Sequence, residues 1–300
     1  MGGYADTMKR LSEVDAAALV TTAFDLEVAS VTGLDTERDD SFHVLTRDGE
    51  FGFKLAHPDD PAVLIDLQSA ALEHAAPSGL PLQSVVATAE FDGRIGRLLT
   101  WLPGTPVSET TEIRTRELGA ALGLLNASLA DFDHPAARRA LAWDVAQLES
   151  SRHLLEVFPS AEATEAFRRF ATRVVPVLHE LPRQVVHNDF HPGNVLVDEN
   201  GAVAGILDFG DVVHTVRIAE LAIASSYFDD EDEFVDGFTD HVELDGMEWD
   251  VLDDLVGARL ALRMLLNAEL GRGTPDDRAD LQSGWHALRE KLDAHLAKGS

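Results

Sequence analysis

The chain has 300 residues, 45% of them hydrophobic, a length that suits two lobes around one cleft better than a single compact core. Its 24 lysines and arginines against 53 aspartates and glutamates leave a net charge of −29, the opposite of the basic footprint that nucleic-acid binding requires. There is no cysteine, hence no disulfide, thiol catalysis or thiolate-held metal; no run approaches the ~18 apolar residues of a membrane span, and the start M-G-G-Y-A-D has no signal-peptide core, so the cytoplasm is the expected location.

From the N-terminus, Ser12 to Asp15 reads as a capping box that opens a helix through about Phe24. Strand-like runs follow at Glu27–Gly33, Ser41–Thr46 and Gly52–Ala56, the last two joined through Asp48-Gly49. Lys54, in the third run, is the only lysine between positions 10 and 290; the others are Lys9, Lys291 and Lys298, against twenty arginines. A chain that otherwise writes arginine either wants a compact ammonium at this point or simply turns an edge-strand lysine to solvent. Leu64, Leu67, Ala71 and Leu72 give helical spacing to 61–75, and Leu82–Glu90 with Ile95–Trp101 form a second hairpin about Asp92-Gly93. The run L-L-T-W-L-P-G ends at Pro103-Gly104. From Thr110 onward helices are expected near 110–130, 142–156, 161–180, 216–228, 248–270 and 276–297. The tract Asp229–Glu233 is either a solvated helix start or a lure for a cationic substrate, and the acidic surface as a whole admits the same two readings.

The helices are interrupted by the most informative stretch, Val186 to Asp211. Val195–Val197 and Val203–Leu207 are β-branched apolar runs joined by Asn200-Gly201, a strong hairpin signal. A hairpin brings the residues before its first strand close to those after its second. Asp189, Asn194 five positions later and Asp208 nineteen positions later should therefore meet at one mouth. Phosphoryl transfer needs such a set: a carboxylate to take the acceptor hydroxyl's proton and hard oxygens to hold magnesium against phosphates. The run His187-x-Asp189-x-His191 also has the look of a transition-metal cluster, but that reading leaves Asn194 and Asp208 without a purpose.

H-N-D-F-H-P-G-N from His187 to Asn194, followed by L-D-F-G-D from Leu207 to Asp211, resembles the catalytic and metal loops of the aminoglycoside phosphotransferase and choline kinase superfamily. T-E-R-D-D-S-F from Thr36 to Phe42 and D-F-G-D-V-V-H-T from Asp208 to Thr215 resemble its hydroxylysine-kinase-like branch. The resemblance implies an α+β, protein-kinase-like two-lobe fold, with a small antiparallel-sheet nucleotide lobe over 1–102 and a mostly helical lobe over 103–300 that carries the catalytic loop and acceptor pocket. It implies Asp189 as catalytic base, Asn194 and Asp208 as magnesium ligands, and His187 as a structural group bonded to backbone near the metal loop. Lys54 would contact the nucleotide phosphates, held by Asp66, Gln68 or Glu73. Backbone groups of Thr100, Trp101 and Leu102 would meet the adenine edge. Donors between Thr36 and Ser41 would stand in for the missing glycine-rich loop, which here has only Gly33. Arg38 would touch phosphate or pair with Glu37 or Asp39. Asp211 would add charge behind the metal or cap the next segment. The implied activity is transfer of the γ-phosphate of ATP or GTP, with Mg2+, to a hydroxyl of a small, amine-bearing metabolite such as a hydroxylated amino acid or amino alcohol. Alternatives are an antibiotic phosphotransferase or a non-catalytic nucleotide-binding pseudokinase. Neither nucleic acid nor membrane is an expected partner, and the oligomeric state is not legible.

Overall fold

The computed structural model describes residues 10–36, 38–228 and 231–270. The helix expected at 276–297, Glu37, and Asp229 and Asp230 of the acidic tract lie outside the described residues.

Helix α1 (Glu13–Phe24) is capped by Ser12, whose Oγ accepts from the Asp15 amide at 3.1 Å, and ends at Asp25 in the left-handed region (φ 54°). Strands β1 (Val28–Leu34), β2 (Asp40–Thr46) and β3 (Gly49–Leu55), helix α2 (Ala62–Ala75), and strands β4 (Val85–Phe91) and β5 (Arg94–Thr100) follow. The strands form one antiparallel sheet in the order β1-β2-β3-β5-β4. Strand alternation gives this sheet two chemically different faces. One presents Phe42, Val44, Phe53 and Leu98, which pack with Ala16 and Val20 of α1 into a small aromatic-rich core. The other aligns Ser41, Lys54 and Arg97 across three strands, since Ser41 pairs with Lys54 and Lys54 with Arg97. That polar row is what the sheet contributes to the cleft.

Beyond Gly104 (φ 146°), strand β6 (Thr105–Pro106) leads to helix α3 (Thr115–Ser128), helix α4 (Leu154–Val157), helix α5 (Ala161–Arg169), strands β7 (Arg183–Val186), β8 (Val195–Val197), β9 (Val203–Ile206) and β10 (Val213–Val216), and helices α6 (Ala219–Ser225), α7 (Glu231–Thr239) and α8 (Gly246–Glu269). The β8–β9 hairpin closes through Gly201 (φ 75°) and is braced on both sides: β6 pairs with β8, and the Ile206 amide donates to the Pro81 carbonyl at 3.0 Å. Strands β7 and β10, absent from the sequence reading, pair antiparallel just outside it. The large core joins Leu67, Ala71 and Leu72 of α2 to the helices beyond Gly104.

Two expected helices break. Over 142–156 the chain forms a 3-10 stretch, Val145–Ser151, with Gln147 outside helical dihedrals, and then the single turn of α4. The cause is buried Asp144, whose carboxylate accepts from Thr215 Oγ1 (2.8 Å), Gln147 Nε2 (2.8 Å) and the Ala146 amide (3.0 Å), bonds that compete with the helical ladder. Over 161–180, α5 passes into a π turn at Phe170–Val174, and neighbouring Arg169 and Arg173 both reach Asp254 of α8, at 2.5 and 2.6 Å.

Candidate active site

The loop between β7 and β8 carries His187 to Asn194. Its start is fixed from below by Glu220 of α6, fully buried, whose carboxylate accepts the His187 amide at 2.6 Å and the Asn188 amide at 3.2 Å. Burial pushes this carboxyl's pKa up, opposed by the nearby His187 ring and the two amides. Asn188 then adopts φ 69°, a left-handed conformation that asparagine tolerates better than most residues. The turn delivers Asp189 to the cleft. The His187 ring is committed at both nitrogens: Nδ1 accepts the Asp189 amide at 3.3 Å, and Nε2 lies 2.9 Å from the Leu207 carbonyl oxygen. His191 Nδ1 accepts the Gly193 amide at 3.0 Å. His187 thus locks loop to hairpin and His191 braces the loop internally, and among the described residues no group of three or more His, Cys, Asp or Glu side chains is placed to hold a metal, against the transition-metal reading.

Asp189 Oδ2 accepts from Asn194 Nδ2 at 2.9 Å, and Oδ1 accepts from Arg259 Nη2 at 3.0 Å. With its nitrogen spent on Asp189, the Asn194 amide keeps its oxygen as a donor to a cation. Across the hairpin mouth, where the Leu207 amide bonds the Asn194 carbonyl at 2.8 Å, Asp208 adopts φ 57° and its Oδ2 lies 3.3 Å from Lys54 Nζ. The Lys54 ammonium holds the Asp208 carboxyl down at a pKa of about 2, helped by the Gly210 amide and opposed by burial. Asp211 behaves oppositely: burial, and then the charge of Asp189, push it up to about 7 against the pull of Arg259 and Arg139. Three carboxyls thus crowd one mouth. The hard oxygens of Asn194 and Asp208 fit a magnesium ion that would draw the rest of its shell from phosphates and water. Arg139 Nη2 bonds the carbonyls of Gly210 (2.6 Å) and Val212 (3.2 Å), holding the loop on both sides of Asp211.

The nucleotide side departs from expectation at Lys54, at Thr100 and at Arg38. Neither Asp66, Gln68 nor Glu73 meets Lys54, whose ion-pair partner is Asp208. Gln68 Oε1 instead accepts from Arg97 Nη2 at 2.5 Å, because Arg97 stands one strand further along the cleft face and reaches α2 first; Asp66 lies 3.1 Å from His134 Nε2. At the end of β5, the Thr100 amide already donates to the Ser84 carbonyl (3.0 Å) and its carbonyl accepts from Gln83 (3.2 Å), so Trp101 and Leu102 are the residues with backbone left to offer. Trp101 stacks on His43 at 4.0 Å between ring centroids. Ser41 Oγ is buried with no hydrogen-bond partner, two strands from Arg97 and beside Lys54. Arg38 pairs with Asp60 through Nε (3.0 Å) and Nη2 (2.6 Å).

Sequence reading missed Glu220 and Arg259. The signal for Arg259 was present: an arginine inside the apolar helical run L-V-G-A-R-L-A-L of α8.

The pattern of the phosphotransferase enzyme family matches residues 31–255. Along most of its length the chain is similar to hydroxylysine kinase of Bos taurus (27% identical, covering 96% of this chain and 91% of that protein) and of Mus musculus (25% identical, 94% and 89%). In fold it resembles a microcompartment-associated aminopropanol kinase (TM-score 0.70, 17% identical, 95% of this chain and 98% of that one) and the GDP complex of aminoglycoside 2'-phosphotransferase-IIIa (TM-score 0.68, 15% identical, 95% and 100%). The matched span covers most of the chain, from the strand before Ser41 to beyond the loop that holds Asp208 and Asp211, and includes Lys54, Asp189, Asn194 and Asp208: the chain belongs to the phosphotransferase enzyme family and is a small-molecule kinase.

Proposed function

We propose that the protein moves the γ-phosphate of ATP or GTP, with Mg2+, to a hydroxyl of a small amine-bearing metabolite, a hydroxylated amino acid or amino alcohol. The observation that carries this reading is the convergence of Asp189, Asn194, Asp208 and Lys54 at the mouth of the β8–β9 hairpin. The near-full-length similarity to hydroxylysine kinases supports an amino-acid acceptor over an antibiotic.

In this reading the acceptor hydroxyl donates its hydrogen bond to Asp189, which orients the oxygen for in-line attack and takes the proton as the new bond to phosphorus forms, the bond to the bridging oxygen breaks and the nucleoside diphosphate leaves. Asn194 and Arg259 hold the two carboxylate oxygens from either side, so the base cannot turn away. Magnesium, held by Asn194 and Asp208, would neutralise phosphate charge. Lys54 turns its ammonium to the phosphates, the Ser41 hydroxyl donates to them, and Gln68 acts at one remove by fixing Arg97. Trp101 and Leu102 offer backbone to the base edge. The sheet lobe, 1–102, binds nucleotide, and the remainder, 103–300, binds acceptor. Among the described residues no helix is long and apolar enough to cross a membrane, and a nucleoside triphosphate donor is consistent with a cytoplasmic setting.

The test is transfer of labelled γ-phosphate across hydroxy-amino acids, amino alcohols and aminoglycosides, with ATP and GTP, with and without magnesium. Magnesium-dependent transfer to at least one is expected. Nucleotide binding without transfer to any, and without hydrolysis, would favour the pseudokinase alternative.

A further inference from the structure

Of the three carboxylates at the mouth, two are answered by the chain itself. Asp189 meets Arg259 at 3.0 Å and Asn194 at 2.9 Å, and Asp208 meets Lys54 at 3.3 Å. The Asp211 carboxylate makes no hydrogen bond or ion pair with any described residue, so it caps no segment and answers no arginine. Arg139 spends Nη2 on the carbonyls of Gly210 (2.6 Å) and Val212 (3.2 Å), which fixes the backbone on both sides of Asp211 without pairing with its side chain.

Strand pairing sets Asp211 beside the base. Strand β10 runs antiparallel to β7 with Val213 opposite Val186, so the residues just before β10 lie next to those just after β7. Asp211 belongs to the first group and Asp189 to the second. The charges felt by the Asp211 carboxyl agree. After burial, Asp189 raises its pKa most, Arg259 and Arg139 pull it back, and Asp208 acts least. The side chain is partly exposed, and these surroundings are the groups of the mouth, so its exposed part opens on the cleft. Asp208 belongs to another strand pair. It follows β9, where the Leu207 amide donates to the Asn194 carbonyl at 2.8 Å across the β8–β9 hairpin. Metal-side oxygens and the Asp211 carboxylate thus come from different ladders.

A largely desolvated carboxylate next to a second one is costly unless a cation joins it. No described side chain is that cation, so a ligand must be. A cation that travels with the phosphates belongs beside Asn194 and Asp208. One that travels with the acceptor hydroxyl arrives on the side of Asp189, where Asp211 stands. An ammonium suits the place: a compact head with three donors that offsets the repulsion between the two carboxylates.

Resting on the phosphotransferase reading above, we propose that Asp211 binds an ammonium group of the acceptor while Asp189 takes its hydroxyl, so that the enzyme selects acceptors with an amine near the hydroxyl to be phosphorylated.

The experiment compares pairs that differ only by that amine: L-homoserine with 4-hydroxybutanoate, 5-hydroxylysine with 2-amino-5-hydroxyhexanoate, and 1-aminopropan-2-ol with propan-2-ol. Wild-type protein should favour the amine-bearing member of at least one pair by about tenfold or more in kcat/KM. Asp211→Asn keeps the shape and removes the charge. It should raise KM for that acceptor roughly 10- to 100-fold, the worth of a hydrogen bond between charged partners, and change KM for its counterpart less than about threefold. Asp211→Glu should recover part of the loss. Affinity for magnesium–ATP, measured by calorimetry, should be the same in wild type and Asp211→Asn. Loss of that affinity would assign Asp211 to the metal and overturn the proposal. Equal loss on both members of a pair, or a wild type indifferent to the amine, overturns it while leaving the kinase reading intact. Should Asp211→Asn fail to fold, Asp211→Ser is held to the same outcomes. Transfer to no acceptor of any class would sink the underlying reading instead.

Discussion

Asp189 has both carboxylate oxygens engaged before any substrate arrives, one by an amide and one by a buried guanidinium. Replacing it by Asn removes the proton acceptor but not the shape. Asp189→Asn should therefore leave nucleotide affinity nearly unchanged while kcat falls by roughly 10²–10⁴-fold, the usual range for a positioned base; a variant retaining more than about half the wild-type rate would remove Asp189 from the mechanism. Asp208→Ala should act on the other substrate. It removes the full carboxylate assigned to magnesium, so the enhancement of ATP binding by magnesium, measured by calorimetry, should disappear. Enhancement that persists would transfer the role to Asp211. At this scale the sequence was readable wherever placement depends on short spacing: Asp189, Asn194 and Asp208 flank one hairpin. It was unreadable where a partner comes from far along the chain. Arg259 meets Asp189 from 70 positions away and Glu220 meets His187 from 33, and no local pattern encodes such pairings. The partner of Lys54 was misread for the same reason, since which side chain reaches Gln68 depends on strand order, and β5 inserts between β3 and β4.

Elements that announced themselves did so by periodicity and turn chemistry. The five-stranded sheet was legible because Asp48-Gly49 and Asp92-Gly93 punctuate alternating runs, and Asp92 and Gly93 do adopt φ 48° and 81°. Strands β7 and β10 were not: at four residues each, Arg-Gln-Val-Val and Val-His-Thr-Val, they are too short to show a regular alternation. The close crossing of α3 and α7 was also missed, though its cause is written in the sequence. A Cβ at Gly119 would lie 1.9 Å from the Phe234 carbonyl oxygen, and one at Gly123 2.4 Å from that of Phe238. Only glycine lets the two backbones approach this far, and the approach seats Phe234 and Phe238 in the core. Gly119→Ala should consequently destabilise the fold by about 1–3 kcal/mol or more, despite alanine's better helix propensity, because backbone must move to make room. Gly246→Ala is the control: a Cβ there meets nothing within 4 Å at the start of α8, so stability should hold or rise slightly. Thermal unfolding of the two variants side by side checks both, and an unchanged midpoint for Gly119→Ala would mean that α7 is free to slide.

The whole molecule carries −29 charges, yet a few of its 24 basic side chains stand close to the site: Lys54 and Arg97 on the sheet face, Arg139 behind the Asp208 loop and Arg259 beside the base. Two fields therefore oppose each other for an incoming nucleotide. The net charge acts over the Debye length, about 30 Å at 0.01 M salt and 8 Å at 0.15 M, whereas the site's own cations act at contact distance and are screened little. Raising salt between these limits should weaken long-range repulsion more than short-range attraction. kcat/KM for magnesium–nucleotide should rise, by about two- to tenfold, while that for a zwitterionic hydroxy-amino acid, which has no net charge to repel or attract, should stay nearly level. A polyamine acceptor would show the reverse, steered in by the acidic surface at low salt and losing that advantage as salt increases. Stopped-flow or steady-state kinetics over that salt range separates the cases. A nucleotide kcat/KM that falls with salt would mean that the clustered cations outweigh the global charge even at a distance, and the acidic surface would then be a solvation feature with no part in catalysis.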